Sequence, residues 1–236
     1  MSKTAIVTGA GSGVGRAVAL HLVREGWNVG LVGRRSEALA ETIKLAGQSA
    51  TRMIAAPGDV ADPAQVAQSA KLIQDKFCPA QALVAAAGLN IPKRAWEVLS
   101  FDDYQHVMNA NLSGTFNWVR QLLPAMRQAG SGTIVTIVSD AGLMAMPKAG
   151  PAYVASKFAQ RGLTQSINAE ERQHGIRATA ILPGDINTPI LDKRPVPPPP
   201  EAREKMLQAD DVAACVMLAI NLPSRAIIEE LLVRPR

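Results

Sequence analysis

The chain has 236 residues, 47% hydrophobic but only 4% aromatic, with 25 Lys and Arg against 20 Asp and Glu for a net charge of +5. This length supports one substantial core, and an aliphatic, aromatic-poor composition suits Ala-rich helices packed over buried aliphatic strands. Basic residues are mixed with acids rather than clustered among aromatics, and no apolar run reaches the roughly 18 residues that span a bilayer, which argues against nucleic-acid and membrane partners. Cys78 and Cys215 stand far apart without metal-ligand neighbours, so buried free thiols are expected, with no disulfide and no metal site. Met1-Ser2-Lys3 leads straight into an apolar run with no room for a charged, apolar and cleavable leader, so the expected location is the cytoplasm.

Residues 4–8, T-A-I-V-T, predict a first strand, followed by G-A-G-S-G-V-G and an amphipathic helix. Gly9, Gly13 and Gly15, with Ser12 and Val14 between them, make a turn that lets backbone approach a pyrophosphate at the helix amino terminus, where free N–H groups and the helix dipole favour anions. Residues 28–32 predict a second strand ending in Gly33-Arg34-Arg35, then a helix over 37–46. Dinucleotide folds that prefer NAD place an acid here to meet the adenosine ribose hydroxyls. Arg34, with Arg35 as a second contact, instead suits a 2'-phosphate; the alternative is a solvated helix start.

A third strand over 50–56 is expected, then Gly58-Asp59-Val60, where a carboxylate and a neighbouring backbone group are placed to meet adenine; the alternative is a turn with a helix cap. Residues 63–77 predict a helix and 81–87 a fourth strand, with Ala87 and Gly88 at its end near the ribose and nicotinamide. The segment 101–128 is apolar at helical spacing, but Asn109 and Asn111 lie inside it, and Asn111 marks a local distortion or else an ordinary exposed Asn. Strand 132–138 delivers Ser139 to the crevice. The helix 151–173 carries Tyr153 and Lys157 one turn apart on one face, where an ammonium favours the phenolate.

Strand 176–182 runs into Pro183-Gly184-Asp185-Ile186-Asn187-Thr188. Five prolines within 195–200 exclude helix there and favour an extended lid edge, ahead of a last helix over 210–222 and a strand over 226–233. Alternation of strand and helix predicts an α/β doubly wound parallel sheet of about seven strands, a Rossmann fold, in a single domain over 1–236 with a substrate loop at about 184–209. Trp96, Leu143, Met144, Met146, Ile190, Leu191 and Met206 are candidates for an apolar pocket, although the same residues serve as ordinary packing. Lys93, Arg94, Lys193 and Arg194 would attract an anionic substrate if they ring the entrance, the alternative being a solvated basic surface.

Taken together, T-G-A-G-S-G-V-G at 8–15, Asp59, Asn111, Ser139, Y-V-A-S-K at 153–157, and P-G with Thr188 resemble the short-chain dehydrogenase/reductase family, in order and over nearly the whole chain. The resemblance implies hydride transfer between nicotinamide and a carbonyl or alcohol carbon. Tyr153 is then the general acid or base, Lys157 lowers its pKa and binds the nicotinamide ribose, Ser139 holds the substrate oxygen, and Asn111 positions a water that links Lys157 to solvent. Pro183, Gly184, the Ile186 backbone and the Thr188 hydroxyl are implied at the carboxamide. The expected cofactor is NADP in preference to NAD, and the expected partners are a small carbonyl or alcohol substrate and a second copy of the chain, in a homodimer or homotetramer. The other readings are a redox sensor that binds the dinucleotide without turnover and, last, a methyltransferase with a similar glycine turn, which would normally lack the downstream Y-V-A-S-K arrangement.

Two features depart from the family pattern. Ala85-Ala86-Ala87-Gly88 stands where N-N-A-G is usual, and the carboxyl terminus lacks the glycine-rich ending of many tetrameric members.

Overall fold

The computed structural model describes residues 3–236; Met1 and Ser2, the start of the leaderless amino terminus expected above, lie outside the described residues. Seven parallel strands form one sheet in the order β3-β2-β1-β4-β5-β6-β7. They are β1 (Thr4–Thr8), β2 (Asn28–Gly33), β3 (Met53–Pro57), β4 (Ala82–Ala85), β5 (Gly132–Ile137), β6 (Ile176–Pro183) and β7 (Glu230–Val233). The connecting helices are α1 (Gly13–Arg24), α2 (Ser36–Leu45), α3 (Pro63–Lys76), α4 (Phe101–Met108), α5 (Gly114–Ala129), α6 (Pro151–Glu171), α7 (Pro200–Glu204) and α8 (Ala209–Asn221).

Period-2 alternation sends side chains from each strand into two separate apolar layers. Ala5, Val7, Val29, Leu31, Val84 and Val135 pack with α1 and α8 on one face. Ile6, Val32, Leu83, Ile134 and Ala178 pack with α3 and α5 on the other, around the fully buried Trp118. Each Val, Leu or Ile among them contributes about 1.5–3 kcal/mol relative to exposure, so the central strands are anchored from both sides. Close approach of α3 needs Gly30 in β2, where a Cβ would fall 2.5 Å from the Ile73 side chain. Asp62 starts α3 by accepting from the N–H groups of Ala64 and Gln65, at 2.8 and 3.3 Å.

Several predicted boundaries are corrected. The stretch 50–56 is not strand throughout, because Gly47–Arg52 winds as a 3-10 turn before β3 begins at Met53. Residues 81 and 86–87 fall outside β4, and β7 is only the last four residues of the predicted strand. Proline does not exclude helix from the whole run to 200. Pro200 opens α7, where its missing N–H leaves no helical bond unmade. The predicted interruption of 101–128 is a π turn over Asn109–Ser113, and Asn111 within it is fully buried, not exposed. Neither Cys78 nor Cys215 forms a disulfide among the described residues, and both are only part-buried. Among the described residues no helix is long and apolar enough to cross a membrane.

Candidate active site

The strand order reverses direction between β1 and β4, and the carboxyl ends of parallel strands open there into a crevice. Gly9 follows β1, Gly88 follows β4, Ser139 follows β5 and Pro183 ends β6, so residues remote in sequence meet at one rim. All four line a cavity of about 260 Å3 together with Ser12, Gly13, Val14 and Gly15. Tyr153 and Lys157 form its wall on one side, and Gly184, Ile186 and Thr188 on another. A second cavity of about 140 Å3 adjoins it at Gly9 and Gly88, lined by Arg34, Asp59, Val60 and Ala87. Two predicted site residues lie on neither wall: Asn111, which sits behind Gly88, and Arg35, exposed at the start of α2.

The glycine turn has the shape needed for a phosphate. Gly9 and Gly13 take positive φ of 67° and 52°. A Cβ at Gly15 would fall 2.4 Å from the Gly9 carbonyl oxygen, so only glycine lets the turn close. Ser12 caps α1 with extended backbone and no side-chain hydrogen bond, which leaves the first N–H groups of the helix for a ligand. Thr188 lies over the turn, its methyl 3.1 Å from where a Gly13 Cβ would be. Arg34 is exposed beside the second cavity without a hydrogen-bond or ion-pair partner among the described residues, and Asp59 accepts from Ala61 N–H at 2.9 Å, the turn foreseen as its alternative role.

Helix α6 holds Tyr153 and Lys157 because its inner face is tied to the sheet. Thr164 hydrogen-bonds Thr136 of β5 at 2.8 Å, and the Asn168 amide pairs with both main-chain groups of Ala178 in β6, at 2.7 and 2.8 Å. The buried Lys157 ammonium donates to the Ile137 carbonyl and to Gln160 Oε1, each at 2.8 Å, and lies 5.6 Å from the centre of the Tyr153 ring. Gln160 in turn donates to Thr115 Oγ1 at 2.9 Å, whose hydroxyl reaches the Asn111 carbonyl at 3.1 Å. A polar chain therefore runs from Lys157 to the π turn. Gln160, Thr115 and Ser156 were not singled out from the sequence; a glutamine three residues after Lys157, on the helix face turned to the core, was the available signal.

The electrostatics differ from the simple Tyr–Lys pairing expected from spacing. Burial pushes the Tyr153 phenol up from 10.0 to about 12, opposed by a hydrogen bond from Ser139, raised further by Asp140, and drawn back by Arg194 and Arg94. Burial pulls Lys157 down from 10.5 to about 7. Desolvation of each group outweighs the help an adjacent ammonium gives a phenolate. Part of Tyr153 stays accessible from the cavity, yet its phenol is surrounded by protein, and it is that local environment which sets the shift.

Around the Ala85-Ala86-Ala87 departure the main chain is held by side chains of other elements. Ala87 N–H donates to Thr8 Oγ1 at 3.0 Å, and both main-chain groups of Leu89 bond to Asn111. Of the candidate pocket residues, Met146, Ile190 and Leu191 line the cavity. Trp96 is 81% exposed, Met144 is exposed, Leu143 packs on Val138 and Leu182, and Met206 lies off the cavity wall. The four basic residues separate: Lys93 and Lys193 are solvated, whereas Arg94 is buried and Arg194 half-buried on the cavity wall.

The short chain dehydrogenase family model matches residues 3–196. The chain is 33% identical over 220 residues to D-beta-hydroxybutyrate dehydrogenase of Rhizobium meliloti, covering 92% of this chain and 83% of that one. It is 31% identical to an uncharacterized oxidoreductase of Staphylococcus aureus, covering 99% and 97%. Its structure is similar to levodione reductase, with a TM-score of 0.91 at 27% identity over 98% of this chain and 96% of the other. It is also similar to the alcohol dehydrogenase of the archaeon Thermococcus sibiricus complexed with 5-hydroxy-NADP, with a TM-score of 0.88 at 27% identity over 100% and 97%. With the sheet order, the glycine turn and the Tyr153–Lys157 helix in hand, these matches mean that the chain belongs to the short-chain dehydrogenase/reductase family of oxidoreductases.

Proposed function

We propose that the protein is an NADP-dependent oxidoreductase that interconverts a carbonyl and an alcohol, with Tyr153 as proton donor in reduction and acceptor in oxidation. The observation that carries this reading is the convergence of Ser139, Tyr153 and Lys157 on one cavity beside the glycine turn. When bound, the dinucleotide supplies or accepts the hydride. Ser139 Oγ, fixed by accepting from Ala141 N–H at 3.1 Å, orients the substrate oxygen toward Tyr153. The Tyr153 phenol, raised by burial, stays protonated through neutral pH and is ready to give its proton to that oxygen. Lys157, positioned by Ile137 and Gln160, supplies the positive charge that steadies the phenolate left behind, and Asn111 helps replace the proton by way of the π turn. The carboxamide end of the cofactor is assigned to Pro183, Gly184, Ile186 and Thr188, and adenine to Asp59 and Val60.

Preference for NADP rests on Arg34, a guanidinium without a partner among the described residues, at the end of β2 where the sequence Gly33-Arg34-Arg35 sets no acid to repel a 2'-phosphate. Fluorescence titration of the purified protein with NADPH and with NADH tests it. Tighter binding of NADPH is expected, with a loss of about 10- to 100-fold in Arg34→Ala that leaves NADH affinity unchanged. Equal affinity for both dinucleotides would remove the NADP assignment. Exposed Phe116 on α5 and Phe158 on α6 support assembly through this helix pair, at least as a dimer.

A further inference from the structure

Arg94 is 6% exposed, stands on the cavity wall with Ser139 and Tyr153, and is held from behind by Gly150, where a Cβ would fall 2.4 Å from the Arg94 carbonyl oxygen. Its guanidinium donates to three main-chain carbonyls, those of Ile91 at 2.5 Å, Lys148 at 3.4 Å and Lys193 at 2.6 Å. Those bonds fix its position, and because a guanidinium carries five N–H donors they leave two for a ligand. Carbonyl dipoles do not neutralise it, and a buried charge without a counter-charge is costly.

The surrounding acids are already committed. Asp185 accepts from Lys148 at 2.8 Å and from Arg194 at 2.6 Å. Burial raises the Asp185 carboxyl, but these two cations more than offset that and hold it below its ordinary value. Asp140 faces Arg234 at 3.5 Å. Burial and then the neighbouring Arg194 lower the Arg94 value, while proximity to Tyr153 raises it, which sets Arg94, Arg194 and the phenol within electrostatic reach of one another. Among the described residues Arg94 therefore has no carboxylate partner, and it stands on the same wall as the position assigned to the substrate carbonyl.

We propose that Arg94 anchors a carboxylate of the substrate, so that the site takes short keto acids and hydroxy acids in preference to neutral ketones and alcohols. The inference rests on the reading of Ser139 and Tyr153 given above. In reduction, hydride adds to the carbonyl carbon, the Tyr153 proton adds to its oxygen, the products are the hydroxy acid and the oxidised dinucleotide, and the carboxylate passes through unchanged. The shared cavity must also receive the nicotinamide, which limits the acid to a short chain.

Two measurements on the whole protein with NADPH test this. Calorimetric titration compares butanoate with butanamide, and steady-state kinetics compares 3-oxobutanoate with its methyl ester. Butanoate is expected to bind and butanamide not, and kcat/KM for the acid is expected to exceed that for the ester by about 10- to 100-fold, a gap that Arg94→Gln closes. Equal behaviour of acid and neutral analogue in the wild-type protein overturns the proposal, whether or not the variant folds. If the ester alone is reduced, the carboxylate anchor fails and the oxidoreductase reading stands. If butanoate binds through Arg94 but neither compound is reduced, the anchor stands and the oxidoreductase reading fails.

Discussion

The side-chain amide of Asn111 pairs with both main-chain polar groups of Leu89, accepting from its N–H at 2.8 Å and donating to its carbonyl at 3.1 Å. The same amide donates to Ser156 Oγ at 3.0 Å, so one buried side chain joins the loop after β4, the π turn and α6. Asn111→Ala leaves the Leu89 groups buried without partners. A loss of about 2–4 kcal/mol in urea unfolding is expected, with slower turnover, since each orphaned group costs about 1–3 kcal/mol. Unchanged unfolding would mean that water replaces the amide.

Tyr153→Phe removes the proton donor and keeps the ring packed against Leu89 and Ala152. Turnover is expected to fall about 10²- to 10⁴-fold, the usual contribution of a positioned general acid, with NADPH affinity largely retained. Comparable turnover in the variant would refute the role given to Tyr153.

Gly15→Ala sets a Cβ 2.4 Å from the Gly9 carbonyl oxygen, and backbone cannot rotate aside. The variant is expected to lose about 1–3 kcal/mol of stability. Because the turn is the proposed pyrophosphate site, the rise in melting temperature that NADPH gives the wild-type protein is expected to vanish.

Lys157 gives a defined pH dependence. Its folded value of about 7 lies below the unfolded 10.5, so between these the unfolded chain holds a proton that the folded chain has released. Stability therefore rises with pH across that window from this residue, and below pH 7 its contribution is flat. Tyr153 has the opposite sign but acts only between 10.0 and about 12, where the unfolded phenol ionises first and stability falls as pH rises. Unfolding of wild type and Lys157→Met between pH 7 and 10 isolates the lysine: the wild-type slope is expected to exceed that of the variant. Reduction is expected to slow as pH rises through 7, because the ammonium beside Tyr153 is lost.

Local patterns carried most of this fold and much of the site. Aliphatic runs a few residues long, each closed by glycine or a cap, identify buried strands because both faces must be apolar, and the spacing of Gly9, Gly13 and Gly15 states where backbone must pass backbone. Boundaries slipped where local propensity and tertiary pairing disagree: residues 50–52 look extended but wind as a 3-10 turn, and 226–229 stay outside β7, which pairs with β6 only from Glu230 to Val233.

Sequence by itself determined the order of strands and helices, the phosphate turn, and the face shared by Tyr153 and Lys157, because each depends on neighbours within a few residues. Tertiary structure alone decided the charge of the site. Burial, set by β5, β6 and α6 together, moves Tyr153 up and Lys157 down against the direction their spacing implies. It likewise separates Arg94 from Lys93, two adjacent basic residues of one loop, by turning the Arg94 guanidinium onto carbonyls as distant in the chain as Lys148 and Lys193 while the Lys93 side chain stays in water. Dielectric surroundings and long-range hydrogen bonds belong to the packed molecule, so no local pattern encodes them.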